Sequence, residues 1–278
     1  MRDAYEGHRN SSAGQPDGLP RSGTVDFSRL EEIGDLHFHA SACSSALDYY
    51  GQINDEGTLA RVPLGLALRV LRKSIDANIL LGNLDQVDLL LERAFALLDR
   101  HGDGEHADLV TIQRAVFQTR LAAALRERGR LQDALQTAKR AFSVLALTDE
   151  HTDVAILQVG MGICHLRLGR LEKAEEFFND GLATFRRIGH DLGVANLLNN
   201  LALLHKIRCR WDRSLALMEK AVALAQKIGA SHLLPGFFLN QGIVLQKIDR
   251  LGESRTLLAK GLRLAASLGD RTHLTRLH

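Results

Sequence analysis

Apolar residues recur at steps of three and four along most of the chain, a spacing that places them on one face of an α-helix. Residues 199–229 contain two such stripes on either side of a short break at Arg208–Trp211. Gly229 follows the second stripe, where a glycine can take the left-handed conformation that ends a helix. The segment therefore predicts two amphipathic helices joined by a tight turn. The stripes are Leu201, Ala202, Leu204 and His205, then Leu215, Met218, Ala221, Val222 and Ala225.

The same two-helix pattern occurs four times at a constant step, which the turn between the two helices marks. This turn is Gly-Arg-Leu at 129–131 and 169–171, Cys-Arg-Trp at 209–211 and Asp-Arg-Leu at 249–251. A repeat of this length predicts a stack of helical hairpins, with small residues where the paired helices cross closely. Those residues are Ala122, Gly162, Ala202 and Gly242 in the first helices and Ala134, Ala174, Ser214 and Ser254 in the second.

Two less regular copies precede these four, at Phe27–Ile53 and Leu64–Arg100. The step from Gly82 to Gly129 is longer than the later ones, and the extra residues are predicted to lie in the loop at 101–107. The sequence thus predicts a solenoid of about six hairpins over residues 27–278.

The two ends of the chain differ from the repeats. Residues 1–26 are rich in Gly, Ser, Pro, Asp and Arg, a composition that predicts a disordered N-terminal tail. Residues 271–278 resemble the start of another first helix that has no partner helix. The last hairpin is therefore predicted to be uncapped, and its exposed apolar face leads us to expect self-association through the C-terminal end.

The spacing of small and large residues resembles the tetratricopeptide repeat (TPR). Its pattern falls on Gly162, Ala174, Phe178 and Gly181 in one copy. The 40-residue step exceeds the usual repeat of about 34 residues, and is similar to the long-repeat branch of kinesin light chains and of the regulatory arms of bacterial transcription activators. The resemblance implies an all-α fold, a right-handed superhelical solenoid of stacked helix-turn-helix repeats.

Composition and charge narrow the range of partners. Charged residues are 24% of the chain and the net charge is +2, which argues against a dedicated nucleic-acid-binding domain. No apolar run reaches the roughly 18 residues of a membrane span. The three cysteines, Cys43, Cys164 and Cys209, are odd in number and far apart, as in reduced cytosolic proteins. We therefore expect a cytoplasmic protein without a membrane partner, and do not expect direct nucleic-acid binding.

No arrangement of residues predicts catalysis. The chain has no glycine-rich phosphate loop and no HExxH, GxSxG or CxxC motif. His37, His39 and Cys43 come nearest to a metal cluster, but only His39 and Cys43 would share a helix face. Two ligands do not complete a zinc site. The sequence therefore predicts a protein that is not an enzyme and that binds no metal or cofactor.

Asparagines are unusually frequent in the first helices of the later repeats, although Asn is a mediocre helix former. Asn196, Asn199 and Asn200 lie in one helix, and Asn240 follows Asn200 at the same step as the turns. One interpretation is hydrogen bonding between neighbouring repeats. The other, which the resemblance implies, is that these amides line a concave groove and hold the backbone of an extended peptide. Three cations are predicted at the rim of the same groove and would favour an acidic partner: Arg167, Lys206 and Lys247.

Two functions are compatible with the sequence. The favoured hypothesis is a non-enzymatic module that binds a protein or peptide in the concave groove. The alternative is the sensory and regulatory arm of a bacterial transcription activator whose effector domain is missing from this chain.

Overall fold

The computed structural model describes residues 26–39, 42–102 and 107–268, and all its regular elements are helical. Most of the predicted tail and the predicted helix start at 271–278 lie outside these residues. In chain order the helices are α1 (Phe27–His39), α2 (Cys43–Asn54), α3 (Glu56–Leu59), α4 (Leu64–Leu81), α5 (Leu84–Arg100), α6 (Ala107–Glu127), α7 (Leu131–Leu145), α8 (His151–Arg167), α9 (Leu171–Arg187), α10 (Asp191–Ile207), α11 (Trp211–Lys227), α12 (Leu234–Lys247) and α13 (Leu251–Leu268), with a 3₁₀ turn at Ser231–Leu233.

The helices pack as consecutive hairpins. The pairs are α1–α2, α4–α5, α6–α7, α8–α9, α10–α11 and α12–α13, and α3 is a single turn between the first two pairs. The second helix of each hairpin also packs on the first helix of the next hairpin. The buried residues form four clusters along the stack, and half-buried leucines such as Leu121 and Leu217 each pack against two of them. This arrangement confirms the predicted all-α solenoid of stacked hairpins.

Every inner turn of the later hairpins has the same backbone conformation. The φ angles are 76° at Gly129 and 72° at Gly169, and the turn residues Cys209 and Asp249 have φ of 54° and 63°. The N–H of the next residue then donates to a carbonyl five positions back, as in a Schellman motif; the distance from Arg210 is 2.9 Å. A left-handed non-glycine residue costs roughly 1–2 kcal/mol. Packing of the two helices must therefore offset this cost at Cys209 and Asp249.

Small residues are required where the two helices of a hairpin cross. A Cβ atom added to Gly162 would lie 2.5 Å from Cδ1 of Phe178, which is fully buried. The first hairpin has the same contact, since a Cβ atom on Gly34 would lie 2.4 Å from the ring of Tyr50. The aromatic ring therefore occupies the space that a side chain would need.

Two of the hairpins add a hydrogen bond to this crossing. Ser214 Oγ donates to the Ala202 carbonyl at 2.8 Å, and Ser254 Oγ donates to the Gly242 carbonyl at 2.9 Å. Both serines are almost completely buried. Serine is thus small enough for the crossing and also satisfies its own hydroxyl there.

The prediction that the extra residues before the third hairpin lie in a loop was wrong in part. If α6 began one 40-residue step before α8, which begins at His151, its first residue would be 111. It begins instead at Ala107. Some of the extra sequence therefore adds one helical turn to α6. Leu109 lies on that turn and is 47% exposed.

Two buried histidines occupy equivalent positions near the ends of α8 and α10. His165 and His205 are 5% and 7% exposed, and Nδ1 of each has no hydrogen-bond partner among the described atoms. Burial lowers the pKa of His165, and the nearby charge of Arg170 lowers it further. Burial also lowers the pKa of His205, against the opposing effect of Glu175. Both imidazoles therefore stay neutral to a lower pH in the folded chain than in the unfolded chain.

We predict that Gly162→Ala will lower the free energy of unfolding by about 1–3 kcal/mol, because the new methyl group overlaps the Phe178 ring. The matched control is Gly51→Ala in α2, where an added Cβ meets nothing within 4 Å. It should raise stability by roughly 0.5–1 kcal/mol through helix propensity alone. Urea unfolding followed by circular dichroism measures both. If Gly162→Ala were stabilising as well, the close crossing would be wrong.

We predict that the chain loses stability as the pH falls below 6.5, the ordinary pKa of histidine. Because the folded-state pKa values are lowered, the unfolded chain binds more protons in this range, and the free energy of unfolding decreases. Melting temperatures at pH 5 to 7.5 should fall less steeply for the double variant His165→Gln, His205→Gln than for the wild type. The control is His101→Gln at an exposed histidine, which should keep the wild-type slope. An unchanged slope in the double variant would contradict the assignment.

Candidate functional site: the inner surface of the first helices

The first helices of successive hairpins contact one another. These contacts join α4 to α6, α6 to α8, α8 to α10 and α10 to α12, whereas no comparable contacts join neighbouring second helices in the described part of the chain. The first helices therefore lie on the inner side of the curved stack. The helices α4, α6, α8, α10 and α12 each have a face that the second helices do not cover. We call these faces together the inner surface.

The C-terminal half of the inner surface combines apolar side chains with amides. Half-buried residues recur there at helical spacing along α8, α10 and α12. Such a surface offers both apolar contact and hydrogen-bonding groups to a partner. The half-buried apolar residues are Ile163, Leu203, Leu239 and Ile243, and the amides are Asn196, Asn200 and Asn240.

The structure divides the predicted asparagines into two groups. Asn240 Nδ2 donates to Asn199 Oδ1 at 3.1 Å and so joins α12 to α10. Asn196 and Asn200 are half-buried, and their side chains make no hydrogen bond to a described residue. Bonding between repeats therefore accounts for Asn199 and Asn240, while the amides of Asn196 and Asn200 are available to a ligand.

The three predicted rim cations have different surroundings. Arg167 Nη1 donates to the Arg126 carbonyl at 2.9 Å, so this side chain helps to hold α8 on α6. Lys206 is half-buried, and burial lowers its pKa. Lys247 is exposed. Neither lysine forms an ion pair with a described residue, so these two are the cations that a partner can reach.

The first two hairpins are joined by charges that the sequence did not reveal. Glu31 of α1 accepts from Arg69 at 2.9 Å and from Lys73 at 2.7 Å, both on α4. Burial alone would raise the pKa of Glu31, but the hydrogen bonds from Arg69 and Lys73 lower it overall. These contacts join residues in different hairpins, 38 and 42 positions apart in sequence. Only the 40-residue spacing of the repeat could have predicted that such residues come close together.

A partly buried ion triad connects three successive first helices. Arg120 of α6 is 7% exposed and contacts Asp76 of α4 at 3.1 Å and the buried carboxylate of Asp153 of α8. Burial by itself lowers the pKa of Arg120, but the two carboxylates raise it overall. Since all three charges are paired, this part of the inner surface is held together by its own side chains.

The other candidate groups have structural partners. His37 stacks on Tyr49 with ring centroids 5.2 Å apart, and no group of three or more His, Cys, Asp or Glu among the described residues is arranged to hold a metal ion. Arg208, in the turn between α10 and α11, is paired with Glu172 and Glu175. None of the described helices has the length and apolar character needed to cross a membrane.

Comparison with known proteins agrees with this architecture. Residues 113–187 and 194–228 match models of the tetratricopeptide repeat. A curated relative is the 43 kDa receptor-associated protein of the synapse from Tetronarce californica, 25% identical over 116 residues. The match covers 42% of this chain and 28% of the relative, so the chain spans less than a third of that protein's length.

Three solved structures share the fold. The Rap conjugation gene regulator of the plasmid pLS20, in complex with the Phr* peptide, has a TM-score of 0.66 and 13% identity over 90% of this chain and 78% of its own. The signal transduction ATPase with a tetratricopeptide repeat sensor from Pyrococcus horikoshii has a TM-score of 0.60 and 12% identity. This match covers 90% of this chain and 37% of the ATPase. Kinesin light chain-like repeats from Podosopora anserina have a TM-score of 0.51 and 18% identity, and the match covers 72% of this chain and 95% of theirs.

At these identities the three structures share the fold with this chain and nothing more. The matched repeat models, the constant step of the repeat and the stacked hairpins lead to the same assignment. The chain contains tetratricopeptide repeats at residues 113–187 and 194–228, and its fold resembles that of kinesin light chain-like repeats.

Proposed function

We propose that the chain is a non-enzymatic interaction module that holds a protein or peptide segment in extended form against its inner surface. The observation that carries this proposal is that the side-chain amides of Asn196 and Asn200 have no hydrogen-bond partner among the described residues. The two residues are four positions apart and so lie one turn apart on one helix face. Each amide offers two donors and an acceptor, which suits the N–H and C=O groups of an extended backbone.

The surroundings of these amides favour a peptide with some apolar side chains. Leu203 follows Asn200 by three positions on α10, and Ile163 occupies the equivalent position of α8. Both are half-buried, and burying such side chains further stabilises a complex. The Rap regulator with a similar fold was solved in complex with the Phr* peptide, which supports a peptide as the ligand.

We further propose that the partner is acidic near α10 and α12. Lys206 and Lys247 carry the charges at that edge that no described carboxylate neutralises. Lys206 is half-buried, so a carboxylate bound to it would be less screened by water than at an exposed site. Charges placed in this way favour the encounter with an acidic partner as well as its affinity.

The alternative role is that of the sensory arm of a bacterial transcription activator. It is supported by the fold shared with the signal transduction ATPase whose sensor consists of tetratricopeptide repeats. In that case the ligand bound to the inner surface would be a signal passed on to an effector domain. An ATPase or DNA-binding domain in the same gene product would favour this role. The cytoplasmic location stays an expectation, based on three free cysteines.

We predict that Asn196→Ala and Asn200→Ala will each weaken peptide binding about five- to tenfold, the loss expected for a hydrogen bond or two. The probe is a set of short peptides selected on the wild-type chain from a random phage-displayed library. Affinity is measured by fluorescence anisotropy with labelled peptide. Replacing Glu and Asp in the selected peptides by Gln and Asn should weaken them too, most strongly at low salt.

The matched control is Asn179→Ala, which removes an exposed amide from the second helix α9. It should bind the selected peptides with wild-type affinity. Binding that is insensitive to both inner-surface variants, or that is lost in Asn179→Ala, would place the ligand elsewhere and contradict the proposal.

Self-association through the C-terminal end stays a prediction. Leu251 and Leu268 of α13 are 54% and 43% exposed, and such leucines on the last hairpin favour contact with another copy. Light scattering across a concentration series should then show a mass rising above the 30.7 kDa of one chain. Leu268→Asp should reduce that rise. A constant monomer mass would contradict self-association and would leave the peptide proposal untouched.

A further inference from the structure

A cavity of about 360 Å³ lies between the first turns of α4 and α6, at the opposite end of the solenoid from the asparagines. Leu64 and Leu68 of α4 and Leu109 of α6 form its apolar walls. Its volume is at the lower end of the range of small-molecule sites, about 300–1,000 Å³. The cavity is therefore large enough for a small ligand but not for a helix.

Two features of the sequence keep this space open. The extra first turn of α6 carries Leu109, which forms one wall of the cavity. Gly65 lines the cavity without a side chain, and the nearest atom to a Cβ built there is Arg69 Nη1 at 3.8 Å. The cavity thus results from the irregular step between the second and third hairpins.

The polar groups at the cavity differ in how they are satisfied. Arg69 is held by Glu31 through two hydrogen bonds, of 3.0 Å and 2.9 Å. Arg72 is half-buried and makes no hydrogen bond or ion pair with a described residue. Because water is partly excluded there, an anion beside Arg72 would gain more than at an exposed arginine. Gln113 of α6 adds a neutral donor to the lining.

We propose that this cavity binds a small amphiphilic carboxylate, an acid with an apolar body and one anionic head. The apolar body packs against Leu64, Leu68 and Leu109, and the carboxylate accepts hydrogen bonds from Arg72 and Gln113. An apolar wall with a single unpaired guanidinium selects this chemistry over neutral lipids, which leave the charge unpaired, and over small hydrophilic anions, which leave the wall unfilled. The proposal does not depend on peptide binding at α10 and α12.

The test is isothermal titration of the full chain with sodium decanoate, kept monomeric in solution, and with decanol as the uncharged analogue. We expect saturable binding of about one decanoate per chain and at least tenfold weaker binding of decanol. Arg72→Gln should weaken decanoate at least tenfold and leave decanol unchanged, because only the charge-assisted contact is lost.

Two further variants separate the cavity from general surface charge. Gly65→Phe places a ring in the open space and should abolish binding of decanoate and decanol alike. Arg100→Gln removes an exposed arginine of α5 and should bind decanoate as the wild type does. Thermal melts establish that each variant is folded, and if Gly65→Phe does not fold, Arg72→Gln decides alone.

Three outcomes would overturn the proposal. They are the absence of saturable decanoate binding to the wild type, equal affinity for decanol and decanoate, and unchanged decanoate affinity in Arg72→Gln. Nonspecific adsorption of the acyl chain produces the second or third of these results. Loss of decanoate binding in Arg100→Gln as well would assign the effect to surface charge and would also contradict the site.

Discussion

The close crossing of the two helices in each hairpin is the contact on which the rest of the structure depends. At Gly162 the helices approach so closely that a methyl group would overlap the ring of Phe178, and serine hydroxyls bond directly to the facing backbone in two other hairpins. Interiors are close-packed, so such a crossing fixes the geometry of each pair within narrow limits. Repeating one geometry in successive hairpins brings the first helices together along a single inner surface.

The inner surface has two parts that differ in how their polar groups are satisfied. Around α4, α6 and α8, Arg120 is paired with Asp76 and Asp153, so side chains of the protein neutralise one another. Around α10 and α12, Asn196 and Asn200 make no side-chain hydrogen bond to described residues. A partner gains most where polar groups are both reachable and unpaired. The proposed peptide site therefore lies in the C-terminal half.

The fold could be predicted well from the sequence because residues within each hairpin carry the repeat pattern. Turns, small residues and apolar stripes all recur at one step, and each needs only its own hairpin. The contacts between hairpins were harder to predict. Arg120 meets Asp153 and Asp76 at separations of 33 and 44 residues, which no local pattern marks. Asn240 pairs with Asn199 and not with its register equivalent Asn200, because neighbouring helices are offset. The cavity at Leu109 arises where the register itself breaks.

The most direct test of the account is a crystal structure of the chain with the tightest peptide selected on it. The account predicts an extended peptide on the inner surface, with its backbone N–H and C=O groups hydrogen-bonded to the side-chain amides of Asn196 and Asn200. An acidic side chain of the peptide should lie near Lys206 or Lys247. A peptide bound to the second helices, or one on the inner surface that leaves both amides without contact, would contradict the central claim.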